Sequence, residues 1–378
     1  MRLLEWGFLV SLVMAWIIEM RLRPSGAARV AIVVAPVVVL IAHVLIEGVR
    51  WQLVPAYLGV VLYETRLLRK WVSFSTFLSG VLAVFGMALG ILFPVPDLPL
   101  LSGPYAIGTL SFDATDAARE EVFTPESGDM RRVAVQMWYP AEAQPGVRRA
   151  PWLARADVMG PAIAMWVDLP MFAFSHAGLI QGNAVADAPW SVAQSKWPVL
   201  IYSHGWGGFR QINATQSEAL ASHGYIVVSI DHPYGALAAT FTDGTVILNK
   251  SSLLPESDTP EFMPAAQLLE DVYARDVTFV LDELERRNAG AAPLAGRFDM
   301  ERVGFFGHST GGGAVVIACV RDQRCKAIVG QDAWIEPVPD EMIAAGLDRP
   351  ALYLVSEEWI GDENDAMLNR FIDVSTGV

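Results

Sequence analysis

A doubly wound α/β fold with a mostly parallel sheet, preceded by a four-helix transmembrane segment, is what this chain of 378 residues predicts. Three observations carry the expectation. From residue 198 onward, short apolar runs alternate with helical stretches, the rhythm of strand–helix–strand units. One of those runs ends in a Gly-x-Ser-x-Gly turn that opens directly into another helical stretch. The long uncharged runs, by contrast, are confined to about the first hundred residues, which sets a segment of residues 1–97 apart from a domain of residues 98–378.

In the first segment, residues 30–46 form an uncharged run of 17 between Arg29 and Glu47, and residues 71–93 form a longer one. Each can cross a hydrocarbon core of about 30 Å as a helix. Residues 3–20 also suffice, with Glu5 and Glu19 near the interfaces, while residues 51–63 with Pro55 inside are the weakest span. Arg21, Arg23 and Arg29 flank one loop, and Arg66, Arg69 and Lys70 flank another. Four spans put both clusters on one side, which the positive-inside rule makes cytoplasmic, so the large domain is expected on the extracytoplasmic side. Trp51, Tyr63 and Trp71 stand at segment ends, where an aromatic belt would have them. Arg21-Leu22-Arg23-Pro24 is a poor cleavage site, so the first run is expected to stay as a span. His43, inside the second span, reads as a hydrogen-bonded interior histidine.

Pro94, Pro96, Pro99 and Gly103-Pro104 separate the two parts. Residues 131–139 alternate like a strand, and PVLIYS at 198–203 reads as the next. A helix near 213–222 should close at Gly224, and YIVVSID (225–231) follows as a strand. Apolar positions at 269, 272, 273, 277, 280, 281 and 284 mark an amphipathic helix over 268–287. VGFFG, KAIVGQ (326–331) and ALYLV (351–355) complete the strands. Residues 151–195 and 236–265 carry no readable period and are expected to form lid or insertion loops.

Charge divides with hydropathy. Residues 1–100 hold 8 Lys/Arg against 5 Asp/Glu, and the remainder holds 19 against 36, a net −17. So acidic a domain argues against nucleic-acid binding, since nothing offsets phosphate repulsion. No zinc-type Cys/His spacing, Walker loop or dinucleotide fingerprint occurs, so no cofactor or metal is expected. The two cysteines, Cys319 and Cys325, could pair in an oxidising compartment, but the plainer reading is two free, half-buried thiols.

The chemistry converges on strand ends, where ligands bind in such sheets. Ser309 sits in GHSTGGG, with Gly307 and Gly311 small enough to let backbone and substrate approach, and His308 beside it. A serine nucleophile also needs hydrogen-bond donors for the oxyanion of its tetrahedral intermediate. His204 and Gly205 open the turn SHGWGGFR (203–210), and the N–H groups of Trp206 and Thr310 are the expected donors. Asp332, one strand after the nucleophile, is the preferred acid for orienting a histidine, with N-capping as its alternative use; Asp231 is the weaker candidate acid. His232 has no acid in an obvious supporting position.

SHGWGGFR…ASHGYIVVSIDH, GHSTGGG and Asp332-Ala333-Trp334, with FDMERVGFFGHS before the serine and RPALYLVSEEW after the acid, resemble the plasma-type platelet-activating factor acetylhydrolases. The similarity runs from about residue 196 to 359 and excludes the apolar N-terminal part. It implies an α/β-hydrolase fold and a Ser/Asp/His triad that cleaves the short acyl chain from phospholipids, with Ser309 as nucleophile, Asp332 as triad acid and Trp206 as an oxyanion donor. Cutinase-like and dienelactone-hydrolase relatives share several of these motifs, so fold and reaction transfer more safely than substrate.

One departure stands out. The triad histidine follows the acid in such enzymes, yet all six histidines (43, 176, 204, 223, 232 and 308) precede Asp332. The resemblance places that histidine just past residue 378, so the domain is expected to be C-terminally incomplete as given, with a natural loss of the base as the runner-up. The expected function is therefore a membrane-attached serine esterase acting on lipid or other lipophilic esters. Its alternative is a catalytically incomplete membrane protein that binds a lipid or a partner in the same pocket. The sequence leaves oligomeric state open.

Overall fold

The computed structural model describes residues 1–22, 25–65, 72–291 and 293–377. Arg23, Arg66, Arg69, Lys70 and Trp71, on which part of the charge and belt reading rests, lie outside the described residues. The chain forms two compact units, Met1–Asp97 with Asp168–Ile180, and Leu98–Val167 with Gln181–Val378.

Among the described residues the first unit holds four α-helices, α1 (Leu3–Leu22), α2 (Gly26–Ile46), α3 (Val54–Thr65) and α4 (Val72–Leu92). Among the described residues two of them, α1 and α2, are long and apolar enough to cross a membrane. With 12 residues, α3 spans about 18 Å, well short of a hydrocarbon core. Phe8, Leu12, Val33, Leu53, Val60 and Ala83 pack together inside, whereas Val10, Ile17, Val38, Ile41, Val81 and Phe85 face outward. A polar knot lies among them. Arg50 and Glu5, both fully buried at the side chain, pair at 2.9 Å. As expected, His43 is an interior histidine, bonded to Glu47 (3.1 Å) and to the Tyr57 hydroxyl (2.8 Å). Residues 168–180 join this unit through Trp51 Nε1, which donates to the Ala173 carbonyl, and through a Gln52–His176 bond of 2.8 Å.

The second unit is built on an eight-stranded sheet. In chain order its elements are β1 (Ala106–Glu120), β2 (Met130–Ala141), α5 (Ala156–Trp166), β3 (Val185–Ala186), β4 (Trp197–Ser203), α6 (Ala214–Ser222) and β5 (Ile226–Asp231). The hairpin β6 (Ala238–Thr240) and β7 (Val246–Leu248) precedes α7 (Phe262–Asn288), β8 (Phe298–His308) and α8 (Thr310–Arg321). Then come β9 (Cys325–Gln331), α9 (Asp340–Ala345), β10 (Ala351–Leu354) and α10 (Glu363–Val374). The sheet order is β10-β9-β8-β4-β5-β2-β1-β3. From β10 to β5 all neighbours are parallel, and β2 then pairs antiparallel with both β5 and β1.

That mostly parallel sheet is the one the alternating runs predict. Both its faces are covered, which is why strands such as β5 read as continuous apolar runs. Val199, Ile201, Val228, Ile230, Val303 and Phe305 meet α7 and α8 on one face. Leu200, Tyr202, Val227 and Phe306 meet Leu220 of α6 on the other. Gly224, at φ +97°, closes α6 as expected of a C′ glycine.

Two expectations need correction. Cys319 and Cys325 are not free thiols but a disulfide, because the short connection from α8 to β9 brings their Cα atoms within 5.2 Å. Residues 151–195 and 236–265 are not mere loops, since they contain α5, β3 and the β6–β7 hairpin.

Candidate active site

The site is assembled where β4, β8 and β9 end side by side. Ser309 occupies the single residue between β8 and α8 at φ +53°, a conformation that costs a non-glycine residue strain and is held by its surroundings. Four backbone bonds do the holding. The Ser309 N–H donates to Gln331 O (3.0 Å), and its carbonyl accepts from Gly312, Gly313 and Trp334. A side chain at Gly307 would overlap the Gly311 carbonyl, and one at Gly311 would overlap the carbonyls of Ser203 and His204. These two glycines are therefore demanded by close packing of strand, turn and helix.

The turn after β4 lies directly against the serine: a Cβ on Gly205 would stand 3.0 Å from Ser309 Cβ. The Gly208 N–H closes this turn onto the Gly205 carbonyl at 2.9 Å, and Gly207 supplies the positive φ (+68°) that such a turn requires at its third position. Among the described residues, neither the N–H of Trp206 nor that of Thr310 has a hydrogen-bond acceptor. Thr310 opens α8, so its N–H is one of the donors a helix start leaves free. The turn and His308 also line a cavity of about 250 Å³ whose apolar walls are Ile163, Trp166, Trp206, Phe209, Ile212 and Leu237.

Asp332, at φ +45°, sits beyond β9. Its backbone N–H bonds Leu354 O at 2.8 Å, and its carboxylate accepts from the Ser356 N–H, so it ties the end of β9 to the end of β10 rather than capping a helix. Asp231 is committed elsewhere, to the backbone N–H (2.6 Å) and guanidinium (3.0 Å) of Arg210.

Among the described residues, none of the six histidines hydrogen-bonds Ser309 or Asp332. His43 and His176 belong to the helical unit, and His223 bonds Ser102 at 3.0 Å. His308 is exposed beside Ser309. His204 is buried, its Nδ1 on the Gly205 carbonyl at 2.7 Å. His232 overturns the expectation that it lacks a supporting acid. Its Nδ1 bonds Asp276 at 2.9 Å, its Nε2 bonds Ser203 Oγ at 2.9 Å, and its ring stacks on Tyr273 at 3.8 Å.

Arg131 grips Asp276 through two bonds, of 3.1 and 2.6 Å, and Glu121 through a third of 2.7 Å. Burial alone would raise the Asp276 pKa, but the Arg131 charge and the bonds from His232 and Arg131 outweigh it and hold the carboxyl well below the usual range. Burial holds His232 below the usual imidazole range. With Asp276 ionised and able only to accept, the His232 proton is on Nδ1 and Nε2 accepts from Ser203. Ser203–His232–Asp276 thus has the connectivity of a nucleophilic triad. It is sealed, though: all three residues are at most 1% exposed and none lines the cavity. Asp276 and Arg131 escaped the sequence reading, although Asp276 stands three residues after Tyr273 and four before Val280, on the buried stripe of α7, where an acid must have a partner.

A strained serine at a strand-to-helix turn, two unpaired N–H groups and a mostly parallel sheet define an α/β-hydrolase-type protein. The family model described as platelet-activating factor acetylhydrolase, isoform II, matches residues 92–253 and 256–377, and the chain belongs to that family. The platelet-activating factor acetylhydrolase of Bos taurus is 31% identical over 207 residues, covering 48% of this chain and 46% of its own. That of Cavia porcellus is 25% identical over 286 residues, covering 71% and 62% respectively. The chain thus spans about half to three fifths of the length of these curated relatives. Among solved structures, a ferulic acid esterase from Streptomyces cinnamoneus superposes with a TM-score of 0.60 at 25% identity, covering 75% of each chain.

Proposed function

We propose that this protein is a membrane-attached serine esterase that cleaves carboxylic esters of lipids, in the manner of the enzymes its relatives are named for. The observation that carries the reading is the pairing of Ser309, strained at its turn, with the unpartnered N–H groups of Trp206 and Thr310. Ser309 Oγ attacks the ester carbonyl, and the two N–H groups receive the developing oxyanion. The alcohol leaves, and water releases the acyl group from the serine. Asp332 is the proposed triad acid; the base it would orient, which takes the Ser309 proton and passes it to the leaving alcohol, is not supplied by any histidine among the described residues. No metal takes part in these steps. The cavity of about 250 Å³ beside the turn is small and mostly apolar in its walls, as suits a lipophilic ester.

The base keeps a second reading alive, because no histidine bonds Ser309 or Asp332 among the described residues. In that reading the pocket binds a lipid or a partner without turning it over. A fluorophosphonate probe applied to the full chain in detergent decides. Labelling that disappears in Ser309→Ala supports the esterase, and an unlabelled wild type supports the binder.

For the membrane, the reading is attachment through the helical unit, with the hydrolase unit on the extracytoplasmic side; the expected four spans are not retained, because α3 is too short to be one of them. It draws support from two span-length helices, from the outward-facing apolar side chains of α1, α2 and α4, and from a disulfide, a bond at home in oxidising compartments. A reporter fused after residue 100 should be active only outside the cytoplasm. Activity confined to the cytoplasm would refute this topology.

A further inference from the structure

The bonds around the oxyanion turn form a continuous buried chain. Arg131 holds Asp276, Asp276 holds His232 Nδ1, and His232 Nε2 meets Ser203 at the start of the turn. The backbone N–H of His232 then reaches His204 Nε2 at 3.3 Å, and His204 Nδ1 reaches the Gly205 carbonyl at 2.7 Å. Arg131, Asp276, His232, Ser203 and His204 are all at most 2% exposed. Each ring nitrogen of His204 has one partner, a donor at Nε2 and an acceptor at Nδ1, so its tautomer is dictated by its neighbours.

The carbonyl of Gly205 and the N–H of Trp206 belong to one peptide unit, and in a planar trans peptide they point in opposite directions. Two donors, His204 Nδ1–H and the Gly208 N–H, draw that carbonyl inward. The Trp206 N–H is thereby turned away from the interior, on a residue that lines the cavity. Gly207, with no side chain to resist, could otherwise let the turn roll over.

We infer that His204 is a positioning residue, locked by the Arg131–Asp276–His232 chain behind it, that fixes the Gly205–Trp206 peptide so that the Trp206 N–H is presented to the oxyanion. This rests on the serine-esterase reading for its purpose but not for its geometry. It also accounts for the sealed Ser203–His232–Asp276 array, whose bonds orient the backbone that carries the donor.

The test uses the full chain in detergent with p-nitrophenyl acetate, with Ser309→Ala setting the background. His204→Ala should lower kcat about 10²- to 10³-fold, the scale of a lost oxyanion donor, with KM little changed. His204→Asn puts an amide donor where Nδ1 stood and should recover most of kcat. His204→Gln keeps only the Nε2 position and should not. A merely structural histidine would make the Asn and Gln variants alike, and that result, or wild-type kcat in His204→Ala, would overturn the inference. A structure of His204→Ala is read independently of turnover: a rotated Gly205–Trp206 peptide supports the proposal, and an unmoved one ends it. A wild type no faster than Ser309→Ala would sink the esterase reading instead, leaving the peptide orientation to decide this one.

Discussion

Ser309 and the glycines around it show how little freedom this strand-to-helix turn has. A methyl group at Gly311 would be driven into two backbone carbonyls, of Ser203 and His204, and neither is the end of a flexible side chain. Gly311→Ala should therefore destabilise the domain by about 2–4 kcal/mol, measured as a lowered unfolding midpoint, and should slow probe labelling of Ser309. A variant with wild-type stability would mean that the turn is looser than its contacts require. At this scale the sequence was legible where one residue type answers one backbone demand, as at Gly307, Ser309, Gly311 and Gly224. It was not legible for His232. Its acid lies 44 residues further on, in α7, and only the packing of that helix onto the sheet brings the two together.

Among the elements, β5 and the second half of β8 were readable because strands buried on both faces are short apolar runs with abrupt ends, while β4 and β9 showed enough of the same pattern to be placed. β1 was not. Fifteen residues long, it is buried toward its start and largely exposed toward its end, where acids and Arg119 dilute any alternation. Its place is fixed instead by long antiparallel pairing with β2, from Ala106↔Ala141 to Thr115↔Arg132. The cysteines were ambiguous because spacing alone says nothing about whether two Cβ atoms meet. Their disulfide, six residues apart, closes a small loop between α8 and β9. A loop of that size confers about 2 kcal/mol in the chain-entropy account. The Cys319→Ser/Cys325→Ser pair should lose about that much in denaturant titration, and dithiothreitol should bring the wild type to the same midpoint. Equal midpoints for wild type and variant under oxidising conditions would show that the bridge adds nothing.

Across the whole molecule, buried ionisable groups make stability depend on pH from two directions. His204 and His232 are held below their unfolded value of about 6.5, chiefly by burial. The unfolded chain then binds more protons as pH falls below that value, so their contribution is complete above about pH 6.5 and is lost on acidification. Glu270 works the other way. Both its oxygens are buried without a partner beside Gly313, and burial, with the Glu336 charge, raises its pKa well above the usual range. The folded state therefore keeps a proton that the unfolded chain has released, and stability falls as pH rises above about 4.5 until Glu270 itself ionises. Glu270→Gln removes that slope. Its stability relative to wild type should grow by up to about 1.4 kcal/mol per pH unit across this window, read by unfolding at pH 5, 6 and 7. A difference that stays constant with pH would contradict the assignment.

The helical unit takes its residues from two stretches of sequence, Met1–Asp97 and Asp168–Ile180. The polypeptide therefore crosses between units three times, at 97/98, 167/168 and 180/181, and a protease nick near residue 97 would leave two covalent tethers intact. Recombinant work inherits this threading. A fragment starting at residue 98 would still carry residues 168–180 without Trp51 and Gln52, the partners of Ala173, His176 and the Phe172 ring. Producing the second unit without the helical one calls for replacing that excursion with a short polar linker as well as removing the first 97 residues.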